Sequence, residues 1–400
     1  MGEVLWLSGA DVEKTGVCRL EETVKIVEEA FGLFDRGEAF LVPETALHLT
    51  SDGQDQACYA LPAYVGGELP VCGVKWTAHG PAAGPEESRI HAAVMLNEAE
   101  GGKPLAILNG TEIGAARTGA VTALALRHLA PKQVKKVALC GAGGQAERQL
   151  QAVLLALPQA EEIAIWSRGN ERNKRLAQRF QADVRPLPSG VRPLLRPVER
   201  LEEAVDGADV IIAATSAAAP YLTPECVRSA SLYCHIGFHE ISREAVDAFS
   251  YIVADTWEEA KHVSGQSLFR YYREGSLDEA RVTGTLGAVI SGRLSVPRGT
   301  PDKKVFFDSF GLPVFDVSVA REAYRRGRAA DLGMRLPSTG IPGWGSPSPG
   351  GRRPPPRQTV AGAPAGDAEP GTSAPWPAAS PACGRPLRRI RGQRRRFCAA

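Results

Sequence analysis

The chain has 400 residues, 44% of them hydrophobic, with 47 Lys and Arg against 45 Asp and Glu. That length allows two domains with cores of their own, and the composition is that of a soluble globular protein. Charge is uneven: eleven Arg, no Lys, Asp367 and Glu369 give the last 67 residues +9, which leaves −7 for the remainder and argues against a nucleic-acid partner for the body of the protein.

Residues 21–37 predict an amphipathic helix, with Val24, Val27, Ala30, Phe31 and Phe34 at helical spacing and Gly37 as its stop. Apolar runs at 58–61, 71–76, 92–96 and 104–108, broken by Gly and Pro, predict strands of an antiparallel or mixed sheet. Residues 113–129 predict a helix rich in Ala and Leu that ends before Pro131. An alternating pattern follows: strand 137–140, helix 145–157, strand 162–166, helix 170–180, a helix around Leu201, and strands 209–213, 231–236 and 251–254. A loop with a repeated Val-Arg-Pro-Leu (184–187 and 191–194) interrupts it, and a helix over 317–330 closes it. The fold class expected is α/β: a doubly wound Rossmann domain over 131–281, and an α+β domain from 1–130 joined by 282–333. Residues 334–400, rich in Pro, Gly, Ala and Arg and without an apolar face, are expected to be a disordered extension.

Eight cysteines without a CxxC pair suit free thiols in a reducing compartment. No signal peptide is visible and no apolar stretch nears the roughly 20 residues of a membrane helix. A cytoplasmic protein without a membrane partner is therefore expected. The seven histidines show no ligand spacing, so no metal site is expected.

The strongest motif is Gly141-Ala142-Gly143-Gly144-Gln145-Ala146, set between a strand and a helix with a second strand after it. That is the context of a dinucleotide turn. Gly141 makes the tight turn, Gly143 lets a pyrophosphate approach the backbone, and small Ala146 stands where a third glycine is usual. The helix N-terminus then faces the phosphate charge. At the end of the second strand, Ser167 and Arg168 replace the acid that binds a ribose 2′-hydroxyl, which favours NADP(H), with NAD(H) the alternative. Lys75 lies in an apolar run, where desolvation makes acid–base work possible; a Lys whose stem simply covers apolar surface is the competing reading. Arg117, among small neighbours, offers a planar fork for a carboxylate, or else forms a structural ion pair.

Several segments together resemble the ornithine cyclodeaminase and mu-crystallin family. They are Leu61-Pro62-Ala63-Tyr64, Gly73-Val74-Lys75-Trp76, Gly102-Lys103-Pro104-Leu105-Ala106, Ala116-Arg117-Thr118-Gly119-Ala120, the 141–146 turn and Ala214-Thr215-Ser216. The resemblance runs from about Glu21 to Gly333. It implies that the first domain binds substrate and pairs two copies into a homodimer, and that Lys75 and Arg117 bind substrate and carry the catalysis. It implies a cofactor role for Gln145, Thr215 and Gly237 beside Gly141, Gly143, Ala146, Ser167 and Arg168. Glu44 follows Pro43 where the family often has Arg, and Arg89 replaces a small hydroxyl residue of the cyclodeaminases. Phe238 or His239 stands where cyclodeaminases carry a catalytic Asp. Glu44, Arg89 and His239 are thus candidate substrate contacts with an altered charge pattern, and ornithine cyclodeamination is not favoured. The activity implied is NAD(P)-dependent oxidoreduction at the C–N bond of a small amino or imino acid or secondary amine. Trp76, Arg89 and the 237–240 stretch resemble members that oxidise an amino-acid–glutamate conjugate leading to 2,3-diaminopropionate. The alternatives are a true cyclodeaminase and a non-catalytic, mu-crystallin-like NADPH- or ligand-binding protein.

Overall fold

Two eight-stranded sheets organise the chain. The computed structural model describes residues 3–49, 56–80, 89–181 and 192–338, all within one unit spanning 1–341. The first stretch comprises β1 (Glu3–Leu7), α1 (Gly9–Lys14), α2 (Leu20–Asp35), β2 (Ala39–Leu41), β3 (Thr45–His48), β4 (Ala57–Val65), β5 (Val71–His79), β6 (Ile90–Glu98), β7 (Pro104–Asn109) and α3 (Thr111–Leu129). Next come β8 (Lys136–Cys140), α4 (Gly144–Ala156), β9 (Glu162–Trp166), α5 (Asn170–Gln181), β10 (Leu194–Val198), α6 (Leu201–Val205), β11 (Val210–Ala213) and β12 (Leu232–His235). The remainder comprises α7 (Arg243–Val246), β13 (Tyr251–Ala254), α8 (Ser267–Arg273), β14 (Val282–Thr285), α9 (Leu286–Ile290), β15 (Val305–Asp308), α10 (Pro313–Ala329) and β16 (Met334–Pro337).

The first sheet has the order β16-β1-β7-β6-β5-β4-β2, with β3 also on β4. It is mixed, because β1 runs parallel to β7 while the other pairs are antiparallel. Strict alternation along β5 buries Val71, Lys75 and Thr77 and leaves Cys72 and Trp76 outward. α10 packs across the inner face, and Phe315 meets Phe31 of α2 with ring centroids 4.5 Å apart. The approach of α10 to β5 needs Gly73, since a Cβ there would lie 2.8 Å from Val317.

The second sheet has the order β10-β9-β8-β11-β12-β15-β13-β14, and every pairing is parallel. Its central strands are buried throughout except for Lys136 at the start of β8, as sheets covered on both faces require. From β8 the chain winds outward one way through β9 and β10, then returns to β11 on the other side of β8. The crevice at the carboxyl ends of β8 and β11 is therefore the switch point where such sheets bind ligands.

Three expectations change. The 282–333 segment does not return as a block to the first sheet: β14 and β15 extend the second one, and β15 fills the gap between β12 and β13. α10 and β16 go back to the first sheet, and α9 packs on α2, where a Cβ at Gly287 would lie 3.3 Å from the Phe31 ring. The extension also starts later than residue 334, because β16 pairs antiparallel with β1 through Glu3↔Pro337 and Trp6↔Met334. The loop with the repeated Val-Arg-Pro-Leu gives way to β10 at Leu194, a strand made possible by its pairing with β9 rather than by its own pattern. Residues 182–191 and 339–400, including the rest of the tail, lie outside the described residues. Among the described residues no helix is long and apolar enough to cross a membrane.

Candidate active site

Lys75 points from β5 to the inner face of the first sheet, where its Nζ lies 2.9 Å from Asp316 Oδ2 of α10. Arg117, from α3, places Nε 3.3 Å from the other oxygen, Asp316 Oδ1. Asp316 is fully buried, and Lys75 and Arg117 are only 6% and 8% exposed. One carboxylate thus holds two buried cations. Burial pulls the Lys75 ammonium below the ordinary lysine value, while Asp316 opposes the shift. Arg117 reaches the second sheet through Gly311, in the β15–α10 loop: with φ +93°, Gly311 has no Cβ where one would collide with Arg117 Nη1. The loop itself is tied down by Asp255, after β13, which accepts hydrogen bonds from the N–H groups of Gly311 (2.8 Å), Phe310 (3.1 Å) and Thr256 (2.8 Å).

Glu44 is half-buried near this cluster. Burial pushes its carboxyl up, and Lys75 and then His48 pull it down. Arg89 is exposed at the edge, with Nε 3.3 Å from the Gly80 carbonyl, and it acts on His79 beside Lys75. His239 belongs to another neighbourhood: its Nδ1 lies 3.1 Å from Ser267 Oγ and its ring 5.7 Å from that of Tyr271. Burial and then Arg270 lower it from the ordinary histidine value.

At the switch point, Gly141 has φ +126°, and a Cβ there would stand 2.6 Å from the Ala214 carbonyl. Gly143 and Gly144 are exposed at the N-terminus of α4, with open space where their Cβ atoms would be. Ala146 packs in the core, and Gln145 Oε1 is buried without a hydrogen-bond partner among the described residues. A glycine cradle and free helix N–H groups together fit a dinucleotide phosphate. Ser167 is different from its expected role, since its hydroxyl turns inward to Asn173 and the Gly169 carbonyl. Arg168 is exposed and makes no ion pair among the described residues. Thr215 and Gly237 also turn inward. Thr215 donates from N and Oγ1 to Glu240 Oε1, both at 2.6 Å, and Gly237 N donates to Glu240 Oε2 at 3.1 Å. Glu240 is therefore fully buried and engaged, while Phe238, which with His239 is a candidate for the place of the cyclodeaminase acid, is half-exposed.

Asp316, Asp255, Asp308, Gly311 and His235 were not singled out from the sequence. A signal was present: His235, Asp255 and Asp308 each stand at or just past the carboxyl end of an apolar strand, and Asp316 interrupts Val314-Phe315 and Val317.

A doubly wound sheet with a glycine turn at its switch point, together with a Lys–Asp–Arg cluster built from β5 of a second sheet and from α3 and α10, defines a two-sheet protein of the Rossmann type. Residues 5–331 match the model of the ornithine cyclodeaminase/mu-crystallin family, and the chain belongs to that family. It is 24% identical over 341 residues to N-((2S)-2-amino-2-carboxyethyl)-L-glutamate dehydrogenase of Staphylococcus aureus, covering 84% of this chain and 98% of the relative. Among solved structures it superposes on the Delta(1)-pyrroline-2-carboxylate reductase of Thermococcus litoralis, in complex with NADH and L-proline. The TM-score is 0.74 at 25% identity, with 83% of this chain and 100% of that one covered. It also superposes on an archaeal alanine dehydrogenase dimer with bound NAD, with a TM-score of 0.73 at 26% identity and coverage of 84% and 100%. All three relatives are oxidoreductases of amino or imino acids by name.

Proposed function

We propose that the protein is an NADP(H)-preferring oxidoreductase acting on the C–N bond of a small amino acid, secondary amine or imine that carries a carboxylate. The observation that carries this is charge: Asp316 is the one carboxylate within ion-pair distance of Lys75 or Arg117 among the described residues, so two buried cations share one anion. A substrate carboxylate supplies the missing negative charge. Arg117 binds Asp316 through Nε and keeps both Nη groups for a bidentate grip that fixes the substrate's orientation. Lys75, with its lowered pKa, holds or releases a proton at Nζ as the substrate nitrogen passes between amine and imine, with Glu44 alongside. Gly141, Gly143, Gly144 and Gln145 would hold the dinucleotide phosphates, and Arg168 a 2′-phosphate. When bound, the nicotinamide supplies the two-electron donor or acceptor that the side chains lack. With no carboxylate at 238 or 239 and Glu240 buried in its own turn, nothing favours cyclodeamination. Fluorescence titration with NADPH and NADH, followed by cofactor reduction with a panel of amino acids, tests the reading. NADPH should bind more tightly, and Arg168→Asp should invert the order; binding of NADH alone would contradict the preference.

We also infer a homodimer. The outer face of the first sheet presents Phe40, Trp76, Met95, Trp6 and Met334, all partly exposed and on one side by register. An apolar face of that extent is covered in a stable protein. Trp76→Glu should yield a monomer by sedimentation; an unchanged dimer would place the contact elsewhere.

A further inference from the structure

His235 ends β12 and is fully buried, between the stacked ring of Tyr233 (centroids 5.9 Å) and the edge of Phe306 (5.8 Å). An imidazole in such a place costs stability unless both ring nitrogens are satisfied. They are: Nε2 lies 2.9 Å from the Phe238 carbonyl and Nδ1 lies 2.7 Å from Asp308 Oδ2. A carbonyl oxygen only accepts, so Nε2 carries hydrogen. One further proton lies between Nδ1 and the Asp308 carboxylate, whichever atom holds it. Asp308 thereby sets the ring's orientation and tautomer, as a carboxylate behind a working histidine does. Here the object held is a backbone carbonyl. The same carbonyl accepts from Ser267 N at 3.0 Å, and Ser267 Oγ accepts from Glu240 N at 3.0 Å. On the other side Glu240 gathers the N–H groups of Thr215 and Gly237. The turn from Gly237 to Glu240 is thus clamped from β15, α8 and the end of β11, at the carboxyl edge where the crevice opens.

We propose that His235 is a positioning residue: with Asp308 behind it, its Nε2–H fixes the Phe238 carbonyl and so sets the 237–240 turn for cofactor binding. The proposal rests on the reading of the crevice as a nicotinamide site. The charged groups facing His235 are Asp308 from β15 and Glu240, whose Oε2 is 3.6 Å from Nε2, with His239 in the next turn. Burial alone would lower the imidazolium, but Asp308, then Glu240 and the Phe238 carbonyl, carry it above the ordinary value.

The test uses the full chain with His235→Asn and His235→Gln. The Gln amide reaches the Nε2 position and can donate to Phe238, whereas the Asn amide reaches only the Nδ1 position. NADPH affinity should fall about tenfold in H235N, as for one lost anchoring hydrogen bond, and stay nearer wild type in H235Q. Melting temperatures measured in parallel separate this order from a general loss of stability. Equal affinities in all three proteins, or losses that simply track melting temperature, would overturn the proposal. Nitrogen-15 histidine spectra provide an arm independent of cofactor: His235 Nε2 should stay protonated between about pH 6 and 8, and an unprotonated Nε2 would overturn the proposal. Wild type that binds neither NADPH nor NADH would sink the nicotinamide reading itself, while the nitrogen spectrum still decides the tautomer.

Discussion

Two buried charge clusters sit on either side of the junction between the sheets, and their balances are opposite. Around Asp316, two cations share one carboxylate. Around His235, one imidazole meets two carboxylates, Asp308 and Glu240. In the second cluster the Glu240 carboxylate is met by N–H groups of the chain itself, at Thr215 and Gly237, and Asp308 holds His235 through Oδ2 while its Oδ1 has no hydrogen-bond partner among the described residues. In the first, neither Nη of Arg117 has a hydrogen-bond partner among the described residues, so the surplus positive charge is open to a ligand. A cluster whose hydrogen bonds run to its own chain holds backbone in place, whereas one that lacks a counter-charge binds a ligand. Asp255 stands between them, influenced by Asp308 on one side and Arg117 on the other.

The largest expected effect breaks the unbalanced cluster. Arg117→Ala and Lys75→Ala should each cost on the order of 2–4 kcal/mol of transition-state stabilisation, roughly 30- to 1,000-fold in kcat/KM, with cofactor affinity retained. Near-wild-type kcat/KM in either variant would remove that residue from the site. Next comes Gly311→Ala, which forces a strained φ costing about 1–3 kcal/mol and drives a methyl into Arg117. Its KM should rise more than its melting temperature falls; a stability loss with unchanged KM would uncouple the loop from Arg117.

A third effect is in pH. Burial raises Asp255 to about 7 in the fold, above its value in the unfolded chain. The folded state therefore binds that proton more tightly, so the stabilisation is complete at low pH and is lost as pH rises from about 4 to about 7. The stability of wild type relative to Asp255→Asn should fall through that window and level off above it, by at most about 4 kcal/mol. The N–H donors of Gly311 and Phe310, which favour the carboxylate, already offset part of the burial in that value. A flat difference in denaturant titrations would show that the donors offset burial. The smallest effect concerns the chain end. Truncation after Ser338 should leave the melting temperature unchanged, whereas truncation after Gly333 removes β16 from the edge of β1 and should lower it by a few degrees.

Much of this was legible in the sequence where a local rule applies. The glycine turn, the strands 162–166 and 251–254 and the helices at 113–129 and 170–180 follow from periodicity and turn chemistry, and Lys75 and Arg117 from apolar context and family motifs. What escaped depends on contacts distant in sequence. β15 is four residues long, and its place between β12 and β13 is set by pairing. Asp316 gains meaning only when α10 crosses β5 above Gly73, 241 residues from Lys75 in the chain. Ser167 shows the converse, for its residue type suits a phosphate while its hydroxyl is engaged by Asn173.

The central claim, that the unmatched positive charge on Asp316's two partners binds a substrate carboxylate, is tested most directly by pairing a substrate change with a residue change. An amino acid oxidised by the wild type is compared with its carboxamide, in wild type and in Arg117→Ala. The account predicts that the wild type strongly prefers the acid and that the variant handles acid and amide alike, the two losses being non-additive. Equal kcat/KM for acid and amide in the wild type, or a preference undiminished in Arg117→Ala, would contradict it.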